Sequence, residues 1–138
     1  MTDLTIEREV VIEAPVDVVW RTITEPDQIT RWFADRVELD LEPGAHGYMG
    51  FGDKGGPVVV EAVEPPTRFS FRWNDSILVE FTLTSEGDER TLLRVVESGH
   101  ELLGWPDAEK VRYTEEHNGG WATHFGRLSQ VLAEHQSR

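Results

Sequence analysis

Glu97 is the acidic side chain whose place in the sequence most favours chemistry. It shares the period-2 alternation of Leu93 and Val95, so a strand that buries those two residues would point the Glu97 carboxylate into the same interior. A buried carboxylate needs hydrogen-bond partners or a raised pKa, which makes Glu97 a candidate polar anchor or general acid–base. The alternative is a solvated strand end, because Gly99 follows two residues later.

His117 and Tyr48 are the other candidates for acid–base catalysis. His117 stands one helical turn before Trp121, which predicts a hydrogen-bonding side chain beside this ring in the wall of a pocket. A histidine satisfied at the surface or rim is the alternative. General acid–base catalysis needs titratable groups that converge, and Glu97, His117 and Tyr48 are the best such groups in the sequence.

No other pattern predicts a reaction, a metal or a cofactor. The chain has no cysteine, which excludes disulfides, thiolate catalysis and cysteine-ligated metal centres. It has no HxH or HExxH pair, no Gly-x-Ser-x-Gly elbow and no GxxxxGK phosphate loop. We therefore predict no metal and no cofactor. The histidines on which this prediction depends are His46, His100, His117, His124 and His135.

The elements that must position these side chains begin with a strand and two short helices. Residues 4–13 alternate between apolar and polar side chains, which predicts a strand with one buried face. Ala14-Pro15 ends the strand, and apolar residues then recur through residues 16–23 at the spacing of one helix face. Glu25-Pro26-Asp27 breaks this helix, and a second short helix ends at Trp32-Phe33.

Strands fill residues 36–99, and a long helix completes the chain. Alternating apolar residues, separated by turns rich in glycine and proline, predict five or six strands of an antiparallel meander. Gly119-Gly120 lies in or at the start of the helix, where it could kink the helix, allow a close approach to the sheet or let the helix flex to admit a ligand. The apolar stripe of this helix consists of Trp121, Phe125, Leu128 and Leu132.

The apolar face of such a sheet must be covered, and the C-terminal helix is the only element long enough to cover it. The sequence predicts an α+β fold of one domain, residues 1–138, in which a curved antiparallel sheet wraps around that helix. Large inward-facing aromatic side chains favour a cavity between sheet and helix. The predicted cavity residues are Trp32, Phe33, Phe71, Trp73, Phe81, Val95, His117, Trp121 and Phe125.

The aromatic residues of this set also have a purely structural interpretation. Trp32 and Phe33 could form a hydrophobic plug that anchors the helical corner to the sheet. Phe71, Trp73 and Phe81 could simply be core, since cross-strand aromatic pairs stabilise a sheet by up to about 1 kcal/mol each.

The charge balance narrows the choice of partners. The chain carries 26 acidic and 13 basic residues and a formal net charge of −13, so its surface repels phosphates. Nucleic acid and anionic membranes are therefore poor partners. The N-terminus has no basic and apolar leader, and no apolar run is long enough to span a bilayer, so we expect a cytoplasmic protein without membrane insertion.

The ordered set of short motifs resembles the SRPBCC (START-like, helix-grip) superfamily, and within it the Aha-like branch, named for a co-chaperone domain that activates a heat-shock-protein ATPase. The resemblance implies a helix-grip fold with a hydrophobic cavity that binds lipids, polyketides or other apolar molecules. The motifs that carry it are Ala14-Pro15, Val19-Trp20, Thr24-Glu25-Pro26, Ile29, Trp32-Phe33, Pro43-Gly44, Val63-Glu64-Pro65-Pro66, Glu97-Ser98-Gly99 and Gly120-Trp121.

Three functions follow as hypotheses. The first is a small-molecule binding protein with an apolar or aromatic ligand, and the second is a cyclase, dehydratase or hydrolase that uses the same cavity. The third is a protein-interaction module of the co-chaperone kind, with a chaperone as its partner. Outward-facing Leu78, Leu92 and Val96 add the hypothesis of a homodimer through a sheet face.

Overall fold

A computed structural model describes residues 4–52, 54–73, 77–100 and 103–136. Its elements follow the predicted order, with six strands after the helical corner. They are β1 (Ile6–Ile12), α1 (Val16–Thr24), α2 (Pro26–Ile29), β2 (Arg36–Glu38), β3 (His46–Phe51), β4 (Lys54–Glu64), β5 (Arg68–Trp73), β6 (Ile77–Ser85), β7 (Thr91–Ser98) and α3 (Asp107–Gln136).

All seven strands form one antiparallel sheet in the order β1-β7-β6-β5-β4-β3-β2. The strands from β2 to β7 pair in chain order, and β1 completes the sheet beside β7. The register sets Val79 opposite Glu97 and Phe81 opposite Val95, so the Glu97 side chain shares the inner face with these apolar neighbours. The α+β helix-grip architecture predicted from the sequence is confirmed.

Alternation along the strands explains which face of the sheet is buried. In β7 the residues from Thr91 to Glu97 alternate between buried and half-buried, and β6 shows the same pattern from Ile77 to Leu83. An alternation of period 2 places every second side chain on one face. The core therefore lies between this face, the two short helices and α3.

The helical corner depends on two prolines. Pro15 precedes the first residue of α1, and Pro26 occupies the first turn of α2. Proline fits the start of a helix because its missing N–H would have no partner there. The turn between the helices brings Trp32 against α1, where its indole N–H donates to the Thr22 carbonyl at 3.0 Å.

The long helix α3 has two halves with different surroundings. From Trp121 onward its apolar stripe is buried, with Leu128 at 0% and Leu132 at 2% exposure. The half before Trp121 is held by polar contacts, such as the Arg8 Nε–H donating to Asn118 Oδ1 at 2.7 Å. A Cβ added at Gly119 or Gly120 would meet nothing within 4 Å, so neither glycine is required by close packing.

Within the described ranges, no helix combines the length and apolar character that crossing a bilayer requires.

Candidate functional site

A cavity of about 470 Å³ lies between the first half of α3 and the ends of strands β5, β6 and β7. This volume falls within the range of about 300–1,000 Å³ that small-molecule sites occupy. The described residues that line it are Phe33, Gly55, Phe71, Trp73, Ile77, Val79, Glu97, Trp105, Tyr113, Glu116, His117, Gly120, Trp121 and His124.

The wall of this cavity is mainly aromatic. Phe33 and Trp121 lie parallel, with ring centroids 5.2 Å apart and an interplanar angle of 12°. Trp105, 42% exposed, makes an edge contact with Tyr113 at 5.1 Å, near the solvent side of the cavity. Rigid rings at several orientations offer faces and edges to a flat apolar molecule.

Glu97 is the polar centre of the site, and three donors hold its carboxylate. His100 Nε2 lies 2.5 Å and His117 Nδ1 2.6 Å from Oε2, while the Trp121 indole N–H donates to Oε1 at 2.9 Å. Glu97 is 2% and His100 0% exposed. We call Glu97, His100 and His117 the carboxylate–histidine cluster.

The hydrogen bonds of this cluster keep the carboxylate charged. Burial is the largest single effect on Glu97 and acts to raise its pKa. The hydrogen bonds from His100, His117 and Trp121, with the Coulombic attraction between Glu97 and His117, together outweigh burial and lower the pKa of Glu97 to about 2. An ionised carboxylate oxygen only accepts, so His100 Nε2 and His117 Nδ1 each carry a proton.

The second ring nitrogen of His100 faces Thr114 on α3. His100 Nδ1 lies 2.6 Å from the Thr114 hydroxyl oxygen, and the one hydroxyl proton of Thr114 is donated to the Lys110 carbonyl. Both ring nitrogens of His100 are therefore within hydrogen-bond distance of a partner, and these contacts hold the ring against Glu97.

Glu97, His100 and His117 also have the side chains of a metal site, since their ligand atoms lie within 4.8 Å of one another. Two ligands at about 2.1 Å from one tetrahedral ion are about 3.4 Å apart. The distances from Glu97 Oε2 to the two histidine nitrogens are 2.5 and 2.6 Å, which are those of direct hydrogen bonds. The three side chains as arranged are joined by hydrogen bonds and are not spaced as ligands of one metal ion.

The chain is similar to one protein family and to a number of solved structures. Residues 13–133 match the family described as activator of Hsp90 ATPase homolog 1-like protein. The chain belongs to this family. The Aha-like resemblance inferred from the sequence motifs is thereby confirmed. A comparison with functionally curated proteins finds no match.

Three solved structures are similar to this chain in both sequence and fold. DynU16, a protein of the dynemicin biosynthetic locus, is 32% identical over 96% of this chain with a TM-score of 0.79, and this chain spans about half of it (48%). MLL2253 from Mesorhizobium loti is 26% identical with a TM-score of 0.83, covering 94% of this chain and 97% of its own. BH1534 from Bacillus halodurans is 29% identical with a TM-score of 0.79, covering 95% and 99%.

The structure brings two of the three acid–base candidates together in this family member. Glu97 and His117 share a hydrogen bond at the cavity wall. Tyr48 is not part of this pair: it alternates with buried Met49 in β3, and its hydroxyl lies against Gly55 at the edge of the cavity. The Arg36 guanidinium lies 5.4 Å from the centroid of the Tyr48 ring. Tyr48 itself is not among the residues that line the cavity.

The predicted cavity residues divide into a wall and a layer behind it. The wall contains Phe33, Phe71, Trp73, His117 and Trp121. The other four are in the core and do not line the cavity, since close packing of the sheet against α1, α2 and α3 buries them. They are Trp32, Phe81, Val95 and Phe125, with exposures of 1%, 1%, 0% and 6%.

Tyr113 and His124 are two further aromatic residues of the cavity wall that carry polar groups. Burial, with the nearby Glu97 charge, raises the pKa of Tyr113 to about 12, so its phenol is neutral. Burial is the largest cause that lowers the pKa of His124, whose ring lies 4.9 Å from Phe33. Both side chains therefore present neutral rings to the cavity at pH 7.

Sequence reasoning missed His100 and Thr114 beside Glu97, and in the cavity wall it missed Trp105, Tyr113, Glu116 and His124. Gly99 adopts a positive φ of 97°, which turns the chain so that His100 comes back over Glu97. Thr114 lies one turn before His117 on α3. The spacing of Glu97 and His100 around a glycine is a signal that could have shown the pair. The side chain of His135 lies outside the described part of the chain.

Proposed function

We propose that this protein binds a small, uncharged and mainly aromatic molecule in the cavity between the sheet and α3. The observation that carries the proposal is the wall itself: six aromatic side chains surround a space of about 470 Å³. The net charge of −13 disfavours an anionic ligand. The relative from the dynemicin biosynthetic locus supports a small organic ligand.

Gly120 supports the same proposal from the helix side. It lines the cavity, and a Cβ built on it would meet nothing within 4 Å. A helix that packed tightly on the sheet here would normally carry an apolar side chain at this position. Glycine leaves room for a bound molecule against the backbone of α3.

The surface favours ligand binding over the co-chaperone hypothesis. Among the described residues, the large apolar side chains that are exposed are Val11 and Trp105. A protein-interaction surface normally shows a larger contiguous apolar patch. Trp105 also belongs to the cavity wall.

Filling the cavity from α3 tests the proposal. We expect Gly120→Leu to weaken the binding of the neutral fluorescent probe N-phenyl-1-naphthylamine by about tenfold or more. The matched control is Gly119→Leu, which changes the neighbouring glycine on the exposed side of the same helix and should alter affinity by less than about twofold. Fluorescence titration of the three proteins gives the dissociation constants.

Both substitutions replace a helical glycine, so both gain helix propensity of up to about 1 kcal/mol and differ only in the space they fill. Equal affinities in the two variants, or no saturable binding to the unsubstituted protein, would contradict the cavity as the binding site.

A further inference from the structure

We infer that His117 is a general base, positioned by Glu97, that takes a proton from an acidic carbon of a neutral aromatic molecule in the cavity. The inference rests on the proposed function, because the substrate occupies the same cavity. It assigns a catalytic site to this chain and names the substrate class as flat aromatic compounds with an acidified C–H bond.

The first step of the argument is the state of His117. Its Nδ1–H donates to Glu97 Oε2, so the neutral ring has its lone pair on Nε2. Among the described residues, Glu97 is its hydrogen-bond partner, and none bonds to Nε2. The side chain is 34% exposed and lines the cavity, so Nε2 is accessible to a bound molecule.

The second step is how firmly the ring is held. The Tyr113 and His117 ring centroids are 3.9 Å apart at an interplanar angle of 39°. The His100 ring lies 5.8 Å from the His117 ring at an interplanar angle of 85°. With Nδ1 anchored on Glu97, these contacts fix the direction of Nε2, which general-base catalysis requires.

The third step is electrostatic. After His117 takes a proton, its positive charge lies 2.6 Å from an ionised carboxylate in a largely buried setting. Such a pair stabilises the imidazolium that forms during proton transfer, as the carboxylate does in a Ser-His-Asp triad. His100 and Trp121 keep Glu97 ionised, so Glu97 accepts the Nδ1–H bond and does not compete for the substrate's proton.

The reaction needs no second reactant. His117 Nε2 takes the proton of the C–H bond. In an elimination, the electron pair of that bond forms a new π bond while a leaving group departs. In an isomerisation, the electron pair shifts along the molecule, and another of its carbons takes up a proton. In the elimination, His117 then releases its proton to water.

The probe for this activity is 5-nitrobenzisoxazole, a flat neutral aromatic compound with one acidic C–H. The base takes that proton, the C–H electron pair completes a carbon–nitrogen triple bond, and the N–O bond breaks to give a coloured cyanonitrophenolate. We expect the protein to catalyse this elimination with saturation. N-phenyl-1-naphthylamine should compete with the substrate.

His117→Gln should lower kcat/KM by about 100-fold or more, the usual contribution of a general base. His46→Gln is the matched control, because His46 is an exposed histidine of β3 outside the cavity, and it should leave the rate within about twofold. If His117→Gln keeps the full rate while it still binds N-phenyl-1-naphthylamine, the general-base inference is wrong and the binding function stands. If the probe binds neither protein, the binding proposal fails as well.

A second measurement does not depend on the variant folding. Long-range proton–nitrogen NMR of the unsubstituted protein should show His117 with its proton on Nδ1. The Nε2 resonance of His117 should shift when 2-naphthol, whose hydroxyl can donate to it, is added. A neutral His117 with its proton on Nε2 would overturn the inference, because that tautomer has no lone pair facing the cavity.

Discussion

Glu97 shows how one buried carboxylate can determine the state of a whole site. An isolated charge in the core would be strongly destabilising, but here the carboxylate accepts hydrogen bonds from His100, His117 and Trp121. Removing one member of a buried pair is costly because the other charge is left without a partner. The cluster therefore behaves as a unit, in which the charge of Glu97 depends on its donors.

The lowered pKa of Glu97 predicts a specific loss of stability in acid. Its pKa is about 2 in the folded protein against an ordinary value of 4.5 for glutamate. Because the folded pKa is the lower one, the stabilisation is complete above pH 4.5 and is lost as the pH falls towards 2. We expect this one group to contribute roughly 3 kcal/mol to the decline in the free energy of unfolding.

Comparison with Glu97→Gln isolates that contribution from the other carboxylates. At pH 7 the variant should be less stable by about 3–5 kcal/mol, because the buried donors around Glu97 lose their charged acceptor. Urea unfolding at several pH values should show this difference shrinking below pH 4.5. Glu115→Gln, on the exposed face of α3, is the control and should follow the unsubstituted protein. A constant difference at all pH values would contradict the assignment.

For single residues, the sequence predicts which way a side chain points but not which groups it contacts. The alternation with Leu93 and Val95 is enough to predict that Glu97 points inward, and it is 2% exposed. The alternation ends at Gly99, so the turn that returns His100 over Glu97 is invisible to it. His117 was placed beside Trp121 by helical spacing, but its bond to Glu97 depends on how α3 lies across β7.

At the scale of elements, α3 combines a packed half with a half that leaves space. Trp121 stands at the boundary, where it stacks on Phe33, contacts the Phe81 ring edge-on at 5.7 Å and donates to Glu97. One side chain thus joins the helix to the corner, the sheet and the cluster. The periodicity predicted the buried stripe, but it could not show where the cavity begins.

Truncating this side chain tests its role between helix and sheet. We expect Trp121→Ala to lower the free energy of unfolding by about 3–5 kcal/mol, since Trp121 is 2% exposed. Trp105→Ala removes an indole that is 42% exposed and should cost less than about 1 kcal/mol. Chemical denaturation of both variants makes the comparison. A loss below about 1 kcal/mol for Trp121→Ala would mean that this ring does not hold the helix on the sheet.

At the scale of the whole molecule, the outer face of the sheet carries several ion pairs beside a few apolar side chains. Arg94 pairs with Glu7 at 3.0 Å and Arg72 with Glu61 at 2.9 Å, both partly exposed. The homodimer hypothesis places Leu78, Leu92 and Val96 of this face at an interface, and all three are half-buried in the single chain. It stays a prediction that sedimentation at high protein concentration tests.

The net charge of −13 leads to a prediction about salt. Repulsion among the excess carboxylates destabilises the folded state, and exposed ion pairs contribute only about 0–1 kcal/mol each against it. Raising the salt from about 10 mM to 150 mM shortens the Debye length from about 30 to 8 Å and screens the long-range repulsion more than the short contacts. The Tm measured by calorimetry at pH 7 should therefore rise with sodium chloride. A falling Tm would mean that the ion pairs of the sheet, rather than net repulsion, dominate the electrostatics of this fold.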